Sequence, residues 1–135
     1  MKDYFGKNVD ILKNKKLFLL DMDGTIYQED RLFNGTLPFL EEIKKQNGKY
    51  IFITNNSSKS VDAYVDKLAS LGISSTKEDF FTSSQATILY LNNKHRQSKI
   101  YCQGTKSLIK ELNDAGLNIT EEVEDNIDVV LLVFK

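Results

Sequence analysis

Short apolar runs of strand length alternate with segments of helical period along nearly the whole chain, and this alternation most limits what it can fold into. Leu17-Phe18-Leu19-Leu20 and Tyr50-Ile51-Phe52-Ile53 are continuous apolar runs and read as strands buried on both faces. Between them, Leu37, Leu40 and Ile43 recur at helical spacing, with Pro38 in the first turn and Gly48 closing the far end. A second helix is expected from Ser60, a natural cap, with an apolar face of Val61, Tyr64, Val65, Leu68 and Leu71 and Gly72 just past its end. Phe80-Phe81-Thr82 reads as a short extended piece leading into a helix with Ala86, Leu89 and Tyr90 on one side. Ile100-Tyr101-Cys102 is another strand, followed by a helix bearing Leu108, Ile109 and Leu112 that ends near Gly116. Residues 127–134 form a last, strongly apolar strand.

This order predicts an α/β fold, a Rossmann-like parallel sheet with helices on both faces. No repeat or long linker interrupts it, so any domain boundary must lie in a short loop, and the one expected is near residues 92–99. The expected division is residues 1–97 as the first part of the core, and residues 98–135 as the end of that core or the start of a further domain cut short. An apolar last strand in a parallel sheet needs a covering helix, and the chain stops without one. Truncation is the favoured explanation; an exposed edge that self-associates is the other.

Composition narrows the partners. In 135 residues, 41% hydrophobic and 27% charged with a net charge of -1, nothing draws the chain to nucleic acid or to an anionic membrane. No apolar run is long enough to span a bilayer, residues 1–16 lack the apolar stretch of a signal peptide, and Cys102 is the lone cysteine. These features point to the cytoplasm.

Asp21-Met22-Asp23-Gly24-Thr25 directly follows the first strand, where ligands bind in open parallel sheets. Two carboxylates two residues apart can face one small volume if the backbone turns, and Gly24 permits the turn. Such a pair suits phosphoryl transfer: one oxygen attacks phosphorus to form an acyl-phosphate, and the other carboxyl moves the proton. Two anions beside a phosphate need a cation, and Mg2+ prefers this oxygen environment. An EF-hand reading fails, because its sixth and twelfth positions would hold Ile26 and Leu32. A plain hairpin turn on Asp23-Gly24 is compatible with chemistry just before it. Thr54-Asn55-Asn56-Ser57 ends the second strand and opens the next helix, offering clustered donors to an anion, or simply a turn and cap.

At these two motifs the sequence resembles the haloacid dehalogenase superfamily, and within it the NagD-like and 4-nitrophenylphosphatase subfamily. Phe81-Thr82-Ser83-Ser84, Ile100-Tyr101-Cys102-Gln103-Gly104 and Asp128-Val129-Val130-Leu131 extend the similarity in the same order. The resemblance implies a magnesium-dependent phosphohydrolase acting on a small phosphomonoester through an aspartyl-phosphate. Asp21 matches the nucleophile and a metal ligand. Asp23 matches the general acid/base, with its carbonyl a second ligand. Thr54 and Asn55 match the phosphate-binding positions, with Asn56 beside them. The further domain would be the family's cap. The family's lysine and its later Gly-Asp motif have no counterpart here, so the expected site is half supplied, with weak magnesium binding and slow turnover. A non-catalytic domain that binds, or self-associates through its C-terminal strand, is the alternative. A phospho-accepting receiver domain fits less well, because its aspartate lies on an internal strand.

Other features carry less. Gly104-Thr105-Lys106-Ser107 lacks the earlier glycine of a phosphate-binding loop and is expected to be a capped turn. His95 sits among polar neighbours as a solvated helix end. Glu121, Glu122, Glu124 and Asp125 read as a solvated loop.

Overall fold

The structure is a computed structural model that describes residues 1–56 and 59–133. Ser57 of the second motif and Phe134 of the last expected strand lie outside the described residues. In chain order the elements are β1 (Leu17–Asp21), β2 (Tyr27–Gln28), β3 (Arg31–Leu32), α1 (Thr36–Lys45), β4 (Lys49–Thr54) and α2 (Val61–Ser70). There follow β5 (Phe80–Thr82), α3 (Ser83–Lys94), β6 (Lys99–Gln103), α4 (Lys106–Asp114), β7 (Asn118–Thr120) and β8 (Val129–Leu132). The strands form a parallel sheet β1-β4-β5, a small antiparallel hairpin β2-β3, and a second parallel sheet β7-β6-β8. The α/β architecture with parallel strands is as the alternation predicts.

Each parallel sheet has its own buried cluster. Phe52 and Tyr50 of β4 and Phe80 of β5 pack with Leu40 and Ile43 of α1 and with Tyr64 and Leu68 of α2. The aromatic rings are close, with centroids 5.2 Å apart for Tyr50–Phe52 and 5.5 Å for Phe52–Phe80. The second cluster joins Ile100 and Cys102 of β6 to Leu108 and Leu112 of α4 and Leu91 of α3. Burial also pushes the Cys102 thiol pKa up, with Glu121 adding to the effect, which keeps it an inert packing group.

The strands are not buried on both faces as expected. Along β1, Leu17 and Leu19 are 59% and 61% exposed, while Phe18 and Leu20 pack against the core. Phe81 of β5 is also exposed on the strand residue that alternates with buried Phe80 and Thr82. The two covering helices both sit on the side of Phe52, so period-two alternation survives in sequences that are apolar throughout. From α3, Ser83 and Ala86 reach the margin of the open face.

Helix limits follow local chemistry. Ser60 caps α2, accepting from Ala63 N–H at 3.3 Å, and Gly72 takes a left-handed φ of 86° after it. After α1, Asn47 rather than Gly48 adopts the left-handed turn, with φ 54°. Gly48 matters for a different reason: a Cβ there would lie 2.9 Å from the Ile43 carbonyl oxygen. In α3 the expected face is reversed. Leu89 and Tyr90 are exposed, and Ser84, Ile88 and Leu91 face inward because α3 packs on the second cluster. No described helix is long and apolar enough to cross a membrane.

Candidate active site

β1 and β4 run side by side in register, with Asp21 opposite Ile53, so Asp21 and Thr54 end neighbouring strands at the same edge. Burial alternates through this end: Met22 is fully buried, and Asp21 and Asp23 on either side of it are exposed. Met22 thus anchors the loop while both carboxylates stay in solvent. The chain then turns sharply. The Met22 carbonyl accepts from Thr25 N–H at 3.1 Å and Ile26 N–H at 2.9 Å, and Gly24, at φ 83°, donates to the Tyr27 carbonyl at 2.8 Å. The left-handed φ is the reason for glycine here. The hairpin β2-β3 follows the turn, so hairpin and site coexist.

An open, mainly apolar cavity of about 620 Å³ lies over Leu19, Ile53, Phe81 and Ala86, with Asp21, Thr54, Asn55, Thr82 and Ser83 along it. Three of the five expected site residues therefore share one space. Asp23 and Asn56 are not among its lining residues. Asp23 is tied in otherwise: its carboxylate and that of Asp21 both act on the buried Tyr27 phenol.

The second motif is shaped by its own hydroxyl. Thr54 is buried, and its Oγ1 accepts from the Asn56 N–H at 3.2 Å and lies 3.5 Å from the Tyr64 hydroxyl. That local bond bends the chain out of the strand. The motif does not itself open α2: Ser60 is the cap and the helix begins at Val61. Ser83, at the start of α3, donates from its Oγ to the Asn55 carbonyl at 3.3 Å and joins the cavity wall. Its position was visible in the Phe81-Thr82-Ser83-Ser84 stretch, although its contact with Asn55 was not. Gly104 leads instead to a capped helix, Thr105 Oγ1 accepting from Leu108 N–H at 3.2 Å, as the turn reading expects.

The donor set suits a hard cation in part. Asp21 and Asp23 offer carboxylate oxygens, yet no cluster of three acidic, histidine or cysteine side chains exists among the described residues. Mg2+ is commonly held by one or two carboxylates, with water and substrate phosphate completing its shell.

Residues 18–118 match the family model of haloacid dehalogenase-like hydrolases. The chain is 31% identical over 114 residues to the 5'-nucleotidase YutF of Bacillus subtilis, an alignment covering 84% of this chain and 44% of that protein. It superposes on the crystal structure of a 4-nitrophenylphosphatase from Thermotoga maritima with TM-score 0.81 and 37% identity, covering 90% of this chain and 46% of the other. A glycerol phosphate phosphatase from Mycobacterium tuberculosis, solved in complex with magnesium, matches with TM-score 0.79 and 28% identity, over 92% of this chain and 37% of its own. The chain spans less than half the length of these relatives. With both strand-end motifs placed where the fold predicts and most of its length matched, the chain belongs to the haloacid dehalogenase-like hydrolases.

Proposed function

We propose that this chain supplies the nucleophile half of a magnesium-dependent phosphohydrolase that acts on small phosphomonoesters through an aspartyl-phosphate. The observation that carries the reading is the cavity shared by Asp21 at the end of β1 and by Thr54 and Asn55 at the end of the adjacent parallel strand. Phosphatase names and a magnesium complex among the similar proteins support it.

In this reading an Asp21 carboxylate oxygen attacks phosphorus as the ester P–O bond breaks. Asp23 gives its proton to the departing alkoxide. Water then attacks the phosphoryl group, Asp23 takes a proton from it, and the P–O bond to Asp21 breaks to release phosphate and restore both groups. Thr54 and Asn55, with Asn56 behind them, orient the phosphoryl oxygens. The Asp21 carboxylate and the Asp23 carbonyl would hold Mg2+, which offsets the charge of two carboxylates beside a phosphate. Residues 98–135, which carry the sheet β7-β6-β8, are read as the end of the core or as the start of a cap that bears on substrate choice. The cytoplasm is the proposed setting.

The test is a chimera in which residues 1–135 replace the matching segment of the Thermotoga maritima enzyme, assayed on 4-nitrophenyl phosphate and alkyl phosphates. Asp21→Asn, which cannot form the acyl-phosphate, is expected to lower turnover by roughly a thousandfold or more. If a tenth of the activity survived, Asp21 would not be the nucleophile.

A further inference from the structure

Beside the two aspartates lies a hydroxyl with no hydrogen bond. Tyr27 is 1% exposed, and its Oη is buried without a partner among the described residues. A buried polar atom left unpaired costs about 1–3 kcal/mol. Phenylalanine would fill the same space without that cost, so the oxygen calls for a use.

The backbone places this ring deliberately. Asp23 and Tyr27 form an isolated bridge, and Gly24 N–H closes the loop on the Tyr27 carbonyl at 2.8 Å. On its other side, Lys67 of α2 sets its Nζ 4.3 Å from the ring centroid, and the same ammonium pairs with Asp30 at 3.8 Å. The ring is therefore held by a cation–π contact and by burial, with its hydroxyl near the site. Burial first, and then the Asp23 carboxylate, push the phenol pKa up. A phenol carries its proton at neutral pH in any case, and toward a carboxylate it can act only as a donor. As placed, the pair falls short of full hydrogen-bond geometry, and the bridge between Asp23 and Tyr27 is what keeps them adjacent.

We propose that Tyr27 is a positioning residue whose Oη–H donates to the Asp23 carboxylate, fixing the direction from which that carboxyl exchanges its proton. The Asp23 side chain is exposed, so packing does not fix its rotamer. The role rests on reading Asp23 as the general acid/base, whereas the hydrogen bond itself does not.

The bond can be read in the 135-residue chain. Tyrosine labelled with 13C at Cζ shows a deuterium isotope splitting in mixed H2O and D2O when its hydroxyl exchanges slowly. The Tyr27 signal is the one lost in Tyr27→Phe, or, if that variant does not fold, the one marked by labelled tyrosine introduced at position 27 alone. We expect slow exchange in the native chain. Asp23→Ala should shift the Cζ signal and speed hydroxyl exchange roughly tenfold or more, the loss expected for a bond to a charged acceptor. Asp21→Ala should leave the signal near its native place. A merely structural Tyr27 would keep its signature when Asp23 loses its carboxylate, and that result would overturn the proposal. So would a Tyr27 hydroxyl exchanging as fast as that of Tyr4, which is 97% exposed. If the signature is present but Asp23→Asn leaves turnover of the chimera unchanged, the bond stands and the acid/base reading fails.

Discussion

The sheets β1-β4-β5 and β7-β6-β8 are each three parallel strands backed by two helices, α1 and α2 for the first, α3 and α4 for the second. Their strand ends have little in common. The first sheet ends in Asp21, Thr54 and Thr82, and two of those ends open into the tight Gly24 turn and the Asn55 loop. The second ends in Gln103, Thr120 and Leu132, and its Gly104 leads straight into a capped helix. The first edge thus brings a carboxylate and an array of donors into one cavity, whereas at the second the Thr120 hydroxyl is taken up by the Glu124 carboxylate at 2.6 Å. Architecture supplies the place for a ligand; the residues at the strand ends decide whether chemistry happens there.

The clusters differ in kind as well: the first mixes aromatic with aliphatic side chains, and among the described residues the buried ones of the second include no aromatic ring. Core truncation tests how separate they are and should give the largest effects. Phe52→Ala is expected to cost about 3–5 kcal/mol and Leu112→Ala about 2–5 kcal/mol, since both side chains are fully buried. Amide exchange should show each loss confined to its own sheet: faster exchange along β4 in the first variant, and along β6 in the second. Equal loss of protection in both sheets from either variant would mean that the two clusters unfold as one, and the contrast drawn between them would be lost.

Helix caps sharpen the comparison on a smaller scale. Thr82, buried at the end of the first sheet, accepts from Gln85 N–H at 3.1 Å, and the Gln85 Oε1 accepts from Thr82 N–H at 2.8 Å. Thr105, at the corresponding end of the second sheet, has only the single bond to Leu108. Thr82→Ala and Thr105→Ala should each cost about 1 kcal/mol in urea unfolding, with Thr82→Ala the more costly of the two. A larger loss at Thr105 would show that the reciprocal cap adds nothing.

These contrasts also mark what the sequence made legible. Hydrophobic period and capping residues located α1, α2 and α4, and the two motifs lay at the strand ends the fold requires. Three things escaped. Continuous apolar runs such as Tyr50-Ile51-Phe52-Ile53 look the same whether one face or both is covered, so the open face around Leu19 was invisible. Strands of two or three residues, β2, β3 and β7, are too short to carry a period. In α3, apolar residues lie on both sides of the helix, and its inward face was chosen by α4 and β6 rather than by its own pattern. The meeting of Asp21, Thr54 and Asn55 at adjacent strand ends was legible because these residues are polar and follow apolar runs directly. Tyr27 was not, since a tyrosine in an apolar stretch reads as core until its oxygen is found without a partner.

The smallest expected effect lies where the second cluster receives a charge. Glu111 of α4 is partly buried, and desolvation raises its carboxyl pKa, an effect that the Ser84 hydroxyl of α3 partly opposes. A carboxyl whose pKa is higher folded than unfolded makes the folded state hold the extra proton between those two values. Stability from this group is therefore greatest below the ordinary carboxylate range. It falls as pH rises through the window up to the folded value, and the penalty is constant above it. Glu111→Gln removes the buried charge and keeps an oxygen that can accept from Ser84. The variant should be more stable than the native chain at neutral pH, by no more than the ~0.5 kcal/mol usual for substitutions outside a core. The gain should disappear in urea titrations taken below the carboxylate range, where the native Glu111 is itself neutral. A loss of stability at neutral pH, or a difference that ignores pH, would show that Glu111 is paired rather than merely desolvated. The second sheet would then share with the first a polar group put to use.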